Sequence, residues 1–248
     1  MGTKEFMVSE LAPKERIVFP LDVSTLDEAR ELVVALAPYV GAFKVGYELG
    51  YNVGWYEATE MITKTGGKVF LDTKLNDIPN TVGQATAALA KMSPWAINVH
   101  ASAGIDAMRA AVDNKGDSLI LAVTVLTAIS PEACVHIFGA TPEEKVVQLA
   151  LDAAQAGTDG LICSAQELKL FLGQKKLSGF LKMTPGIRPA WAAANDQKRI
   201  MTPTDAIQSG VDYLVIGRPI RQAPVEIGSP AEAAQKIAEE IANALNNT

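Results

Sequence analysis

VFLDTKLNDIPNT, residues 69–81, starts as an apolar run and then places Asp72, Lys74 and Asp77 within six positions, directly ahead of Ile78-Pro79. Proline is suited to the first turn of a helix, so the stretch reads as a buried strand, a charged end and a helix start. Charge at the end of a buried strand is costly unless it is paired or used. Two questions follow: how often the unit recurs, and what the charges do.

The unit recurs along the chain. Apolar runs begin at Ile17 (IVFPLD), Ala42 (AFKVG), Lys68 (KVFLDT), Ala96 (AINVHA), Leu119 (LILAVTV), Asp159 (DGLICS), Phe180 (FLKMTPG) and Asp212 (DYLVIG). Helical periodicity follows each, as in LDEARELVVALAPYV, where Ala29, Leu32, Val33 and Leu36 form an i, i+3, i+4, i+7 stripe. The seventh connection is the weakest, with only TPTDAIQSG to suggest one short helix. Eight strand-helix units in 248 residues predict a closed α/β (β/α)8 TIM barrel rather than an open doubly wound sheet. No linker or low-complexity tract divides the chain, so residues 1–248 are expected to form one domain, with 1–14 a poorly ordered or peripheral extension.

Composition narrows the function. A net charge of -6 with dispersed Lys and Arg argues against a nucleic-acid surface. The start, MGTKEFMVSE, lacks the apolar core of a signal peptide, and no run approaches a membrane span, so a soluble cytoplasmic protein is expected. Cys134 and Cys163 lie outside metal or redox spacing and read as buried apolar residues, and His100 and His136 are not at a ligand spacing; no metal site is expected.

In a barrel, chemistry sits at the carboxyl ends of the strands. Those ends read Asp22, Lys44, Asp72 with Lys74, His100, Thr124 with Thr127, Ser164, Gly186 with Arg188, and Gly217 with Arg218. Alternation along a strand turns Asp72 and Lys74 to one side, and Lys44 ends the neighbouring strand roughly 4.8 Å away. Two readings of Lys44, Asp72, Lys74 and Asp77 stand side by side. They form either a structural ion-pair network, with Asp77 favouring a helix N-terminus, or a preorganised row of alternating charges suited to a reaction that removes one negative charge and develops another nearby.

The string DTKLNDIPNT resembles the D-x-K-x-x-D-I-P-N-T signature of the orotidine 5'-phosphate decarboxylase family. FKVG around Lys44, NVHASAG, LAVTVLT, TPGIRP, DQKRIMTP and VIGRPI resemble that family's blocks in the same order, over nearly the whole chain. The resemblance implies a cofactor-independent homodimeric barrel that decarboxylates orotidine 5'-phosphate to uridine 5'-phosphate, the last step of de novo pyrimidine synthesis. It casts Lys74 as the acid that protonates C6, Asp72 beside the departing carboxylate, Lys44 on Asp72 and the ribose, Asp22 on the ribose, and Thr127 with Ser130 on the pyrimidine. Asp77 is then contributed across the dimer interface. Asn76 stands where many relatives have His, and Tyr47 where many bacterial ones have Lys; neither belongs to the four-charge row, so both read as peripheral.

The last two strand ends suit a phosphate: Gly186 and Arg188 in TPGIRP, Gly217 and Arg218 in VIGRPI. Glycine allows close backbone approach, arginine binds two oxygens at once, and barrels often hold phosphate after strands seven and eight. The alternative is that the glycines only make turns and the arginines lie on the surface. Residues 189–201, PAWAAANDQKRIM, exceed an ordinary connection and are expected to form a lid from which, by the resemblance, Gln197 reaches the phosphate. Two rivals remain, a magnesium-dependent sugar-phosphate decarboxylase of the same superfamily and a non-catalytic nucleotide-binding barrel. The I-P-N-T extension and the Thr127 region argue against the first, and the presence of all four charges weighs against the second. The absence of a G-x-G-x-x-G after the first strand argues against a Rossmann dehydrogenase.

Overall fold

The structure is a computed structural model that describes residue 8, residues 10–192 and residues 201–247. Eight parallel strands close into a barrel in sequence order: β1 (Ile17–Pro20), β2 (Ala42–Val45), β3 (Val69–Leu75), β4 (Ala96–His100), β5 (Leu119–Val123), β6 (Gly160–Ile162), β7 (Leu181–Thr184) and β8 (Tyr213–Val215). Closure is made by β1 against β8, with Ile17 opposite Leu214 and Val18 opposite Val215. All eight anticipated strands are present, which establishes the (β/α)8 TIM barrel.

Alternation sorts each strand into two faces. Val18, Ala42, Phe70, Ala96, Leu121, Met183 and Tyr213 fill the barrel interior as one apolar cluster. Their neighbours Ile17, Phe19, Phe43, Val69, Leu71, Ile97 and Ile120 join the larger core between sheet and helices. The helix Leu26–Leu36 shows how the outer ring docks: Thr25 caps it by accepting from the Glu28 amide, and Ala29, Val33 and Leu36 of the stripe are fully buried. Pro79 opens the helix Pro79–Ala90, and TPTDAIQSG supplies the short helix Pro203–Gln208.

One connection departs from the expected α-helix. Between β6 and β7 the chain forms two 3-10 segments, Ala165–Phe171 and Lys175–Leu177. Gly173 and Gly179 there adopt φ of 82° and 78°, which a continuous right-handed helix does not accommodate. At the amino-terminal end of the barrel, Val8 and Leu11 pack against the interior cluster, and Arg16 Nη2 donates to the Val8 carbonyl at 2.8 Å. Cys134 and Cys163 are buried, and no helix among the described residues is long and apolar enough to cross a membrane.

Candidate active site

Three adjacent strands carry the same interior pattern, an apolar residue below and a polar one two positions later at the carboxyl end: Ala42 then Lys44, Phe70 then Asp72, Ala96 then Asn98. The pleat therefore turns all three polar side chains into the barrel mouth. There the Asp72 carboxylate is held from three strands. Lys44 Nζ lies 3.1 Å from Oδ2, Lys74 Nζ donates to Oδ1 at 2.7 Å, and Asn98 Nδ2 donates to the same Oδ1 at 2.6 Å. Lys44 also reaches Asp22 Oδ1 at 3.3 Å, so the row reads Asp22, Lys44, Asp72, Lys74.

Burial alone would discourage ionisation at both buried members, and their partners reverse this. Burial raises the Asp72 pKa, but Lys44 and Lys74, with the hydrogen bonds from Lys74 and Asn98, bring it below the ordinary value. Burial likewise opposes the charge on Lys44, and Asp72 and Asp22 outweigh it, raising that pKa. Each buried charge in the row is thus stabilised by an opposite one.

Alternation alone does not explain Lys74. Register between β3 and β4 runs from Leu71 opposite Ile97 to Leu75 opposite Val99, so β3 bulges where Asp72, Thr73 and Lys74 lie. Lys74 has φ 47°, a left-handed conformation that costs an L residue about 1–2 kcal/mol. Its amide is met by Asn98 Oδ1 at 2.7 Å. The two side chains do face the same pocket, but through a bulge rather than through regular pleating. Asn98, fully buried, also lines the cavity and is not among the strand-end residues named from the sequence. It precedes the strand's last residue by two, and only its inward phase on β4 distinguishes it from a core asparagine.

The other anticipated residues fall into two groups. Thr127, Gly186, Arg188, Gly217 and Arg218 line the same cavity as Asp22, Lys44, Asp72 and Lys74, a space of about 300 Å³. Asp77 and Ser130 do not. Asp77 is exposed and accepts from the Ile78 amide at 2.7 Å. Ser130 is exposed and caps the helix Pro131–Phe138, accepting from Ala133 N. Gln197 lies outside the described residues; on either side of that stretch, the Arg188 amide donates to the Met201 carbonyl at 2.9 Å.

Tyr47 is not peripheral. Its ring centroid is 5.0 Å from Lys74 Nζ, and its hydroxyl donates to the Thr73 carbonyl at 3.3 Å, so an aromatic face completes the surroundings of that ammonium. The reason is the short helix Tyr47–Asn52, which starts two residues after β2 and leans its first side chain over the β3 bulge. Asn76 stays exposed.

Next to the Asp22 end of the charged row, the ends of β7 and β8 line the cavity with backbone and arginine. Gly186 has φ 80°, which a glycine adopts without strain. At Gly217 a Cβ would come within 2.6 Å of Pro20 Cγ, so only glycine lets the β8 end pass β1 this closely. Arg218 follows as the first residue of the short helix Arg218–Arg221, and Arg188 is buried with Nη1 donating to the Ile187 carbonyl at 3.0 Å. Apolar side chains including Val123, Ile162 and Met183 floor the space between the two polar sides. Among the described residues, no three His, Cys, Asp or Glu side chains gather in a metal-binding arrangement.

Fold and site together define a (β/α)8-barrel enzyme whose polar groups converge at the carboxyl ends of its strands. The chain belongs to the orotidine 5'-phosphate decarboxylase / HUMPS family, whose model matches residues 15–237. Among curated relatives, the orotidine 5'-phosphate decarboxylase of Geotalea daltonii is 44% identical over 236 residues, covering 92% of this chain and 96% of the relative. The protein of the same name from Heliobacterium modesticaldum is 42% identical, covering 94% and 98%. Among solved structures, the orotidine 5'-phosphate decarboxylase of Lactobacillus acidophilus superposes with a TM-score of 0.77 at 34% identity, covering 91% of this chain and 98% of that one.

Proposed function

We propose that this chain is a carboxy-lyase that converts orotidine 5'-phosphate to uridine 5'-phosphate and carbon dioxide. The observation that carries the reading is the Asp72 carboxylate fixed between the Lys44 and Lys74 ammonium groups, across one cavity from the Arg188 and Arg218 end. Such a site has places for a reacting anion and for a second anion that does not react. The relatives described above carry this activity in their names.

In the proposed reaction the substrate carboxylate sits beside Asp72. The C6–carboxylate bond breaks, carbon dioxide leaves, and the electron pair stays on C6. That carbanion develops next to the Lys74 ammonium, which gives it a proton and is then recharged from solvent. Two like charges about 4 Å apart at an effective dielectric near 20 repel by about 4 kcal/mol, whereas enzymes lower barriers by roughly 8–23 kcal/mol. Repulsion by Asp72 is also offset by its two lysines. The larger share therefore falls to the fixed ammonium, which interacts more strongly with the carbanion than with the ground state. Thr127 would meet the pyrimidine and Asp22 the ribose, while Gly186, Arg188, Gly217 and Arg218 would hold the phosphate.

Asp77 has a role in this reading only if a second copy supplies it. Its exposure beside Ile78, 66% exposed, and the exposed Tyr51, packed 5.5 Å from the Tyr47 ring, support a homodimer through this side of the barrel. Mixing inactive Lys74→Ala and Asp77→Ala chains should regenerate activity in hybrid dimers; two variants that stay inert together would remove the shared site.

The deciding experiment is to mix chelator-treated protein with orotidine 5'-phosphate and follow loss of orotate absorbance. Turnover that persists in chelator supports the reading. Inactivity with this substrate, or activity restored only by magnesium on a sugar phosphate, would overturn it.

A further inference from the structure

Asn98 is an uncharged side chain at the cavity that bonds two members of the charged row at once, Lys74 through its backbone N–H and Asp72 through its carboxylate. Its amide has one donor side and one acceptor side, and the surroundings fix which is which. The group facing it from the bulge is the Lys74 backbone N–H, so that side must be Oδ1; Nδ2 is then left to donate to Asp72 Oδ1. We infer that Asn98 is a positioning residue for the decarboxylation, locking the bulged, left-handed Lys74 backbone and the Asp72 carboxylate into one geometry. The inference rests on the function proposed above.

Three features separate this role from ordinary packing. Asn98 points inward above Ala96 and lines the cavity, so it does not join the core between sheet and helices. Strand pairing at its own position uses backbone groups, with Asn98 opposite Leu121 on β5. Its side-chain bonds go to the two residues whose separation sets the reaction geometry, since Lys74 Nζ must stay within reach of both Asp72 and the substrate carbon. No other common side chain of this size offers a donor and an acceptor in that arrangement. Ionised aspartate keeps the acceptor for Lys74 and loses the donor to Asp72. Alanine loses both, and glutamine adds a methylene where exposure is 0%.

The test compares wild type, Asn98→Ala and Asn98→Asp on orotidine 5'-phosphate, with uridine 5'-phosphate binding and circular dichroism on each. Wild-type turnover is measured first, because its absence sinks the parent reading and this inference with it. With the wild type active, Asn98→Ala should lose on the order of 10–100-fold in kcat, as expected for unpaired buried polar groups, while KM and product affinity change by less than about 3-fold. The ratio of Asn98→Asp to wild-type kcat should fall as pH rises through the titration of the introduced carboxyl, since only its protonated form donates to Asp72. Should Asn98→Ala not fold, this ratio decides alone. Wild-type kcat in Asn98→Ala, a loss confined to KM, or a ratio independent of pH would each overturn the role.

Discussion

Lys74 Nζ lies 2.7 Å from Asp72 Oδ1 although the Lys74 backbone has left the extended conformation, with φ 47°. A side chain two residues on in a regular strand would stand parallel to its neighbour; the bulge instead folds the ammonium back over the carboxylate.

That geometry predicts the outcome of Lys74→Ala. The proposed proton donor disappears, and Asp72 keeps Lys44 and Asn98 as partners, so the row does not collapse. Turnover should be abolished while much of the affinity for uridine 5'-phosphate remains, measured by calorimetry beside the absorbance assay. Near-normal turnover would remove Lys74 as the acid.

Arg218 lines the cavity from the end of β8, three strands round the barrel from Lys74 on β3, so its contribution should follow the part of the substrate that does not react. A hydrogen bond to a charged group contributes about 1.5–3 kcal/mol, which is roughly 10–150-fold in binding. Arg218→Ala should raise KM and lower kcat/KM by about that factor for orotidine 5'-phosphate, and far less for orotidine, which has no phosphate. Equal losses on the two substrates would place the phosphate elsewhere.

Tyr47 offers its ring to the Lys74 ammonium at 5.0 Å, within the range where a cation over an aromatic face gains about 0.5–2 kcal/mol. Tyr47→Leu should therefore lower kcat by roughly 2–30-fold, by that energy converted at 1.4 kcal/mol per factor of ten. Tyr47→Phe keeps the face and loses only a 3.3 Å hydrogen bond to Thr73 O, so it should stay close to wild type. If Phe and Leu fall together, the hydroxyl rather than the ring is what matters.

How much of this could be read from the chain depends on the range of the interaction. All eight strands are legible, because β-strand and helix periods are local and a barrel repeats them, whereas of the polar strand ends His100, Thr124 and Ser164 do not line the cavity. Lys44, Asp72 and Lys74 were legible as charges in apolar runs that only a partner makes tolerable. Asn98 and Tyr47 were not, because an asparagine in NVH and a tyrosine opening a short helix are locally ordinary. Both acquire their place only from a bulge whose register is set by pairing β3 with β4. The connection after β6 departs from its sequence pattern for a related reason. Its apolar spacing suits a helix, but glycines at 173 and 179 turn the chain, and closing the barrel decides the path.

The last prediction concerns acid. The Asp72 pKa is lowered below its ordinary 3.8: burial pushes it up, and Lys44, Lys74 and Asn98 more than compensate. A carboxyl with a depressed folded-state value contributes stability that is present above the unfolded value and is lost as pH falls through the folded one. Lys44, whose pKa is raised above 10.5 by Asp72 and Asp22 against the effect of burial, contributes in the opposite sense: fully below 10.5, and lost as pH rises through its folded value. Between these limits the pair should be indifferent to pH. Asp72→Asn leaves Lys44 and Lys74 facing one another without the carboxylate, and breaking a buried pair costs on the order of 3–5 kcal/mol. In denaturant titrations at successive pH values, the stability advantage of wild type over Asp72→Asn should hold from about pH 7 to about pH 4 and shrink only in stronger acid. The carboxylate also has to be charged to hold Lys74 in place, so wild-type kcat should show no acid limb attributable to Asp72 across the same interval. An advantage that had already vanished by about pH 5 would mean that burial outweighs the two lysines and that the row is not paired as its distances indicate.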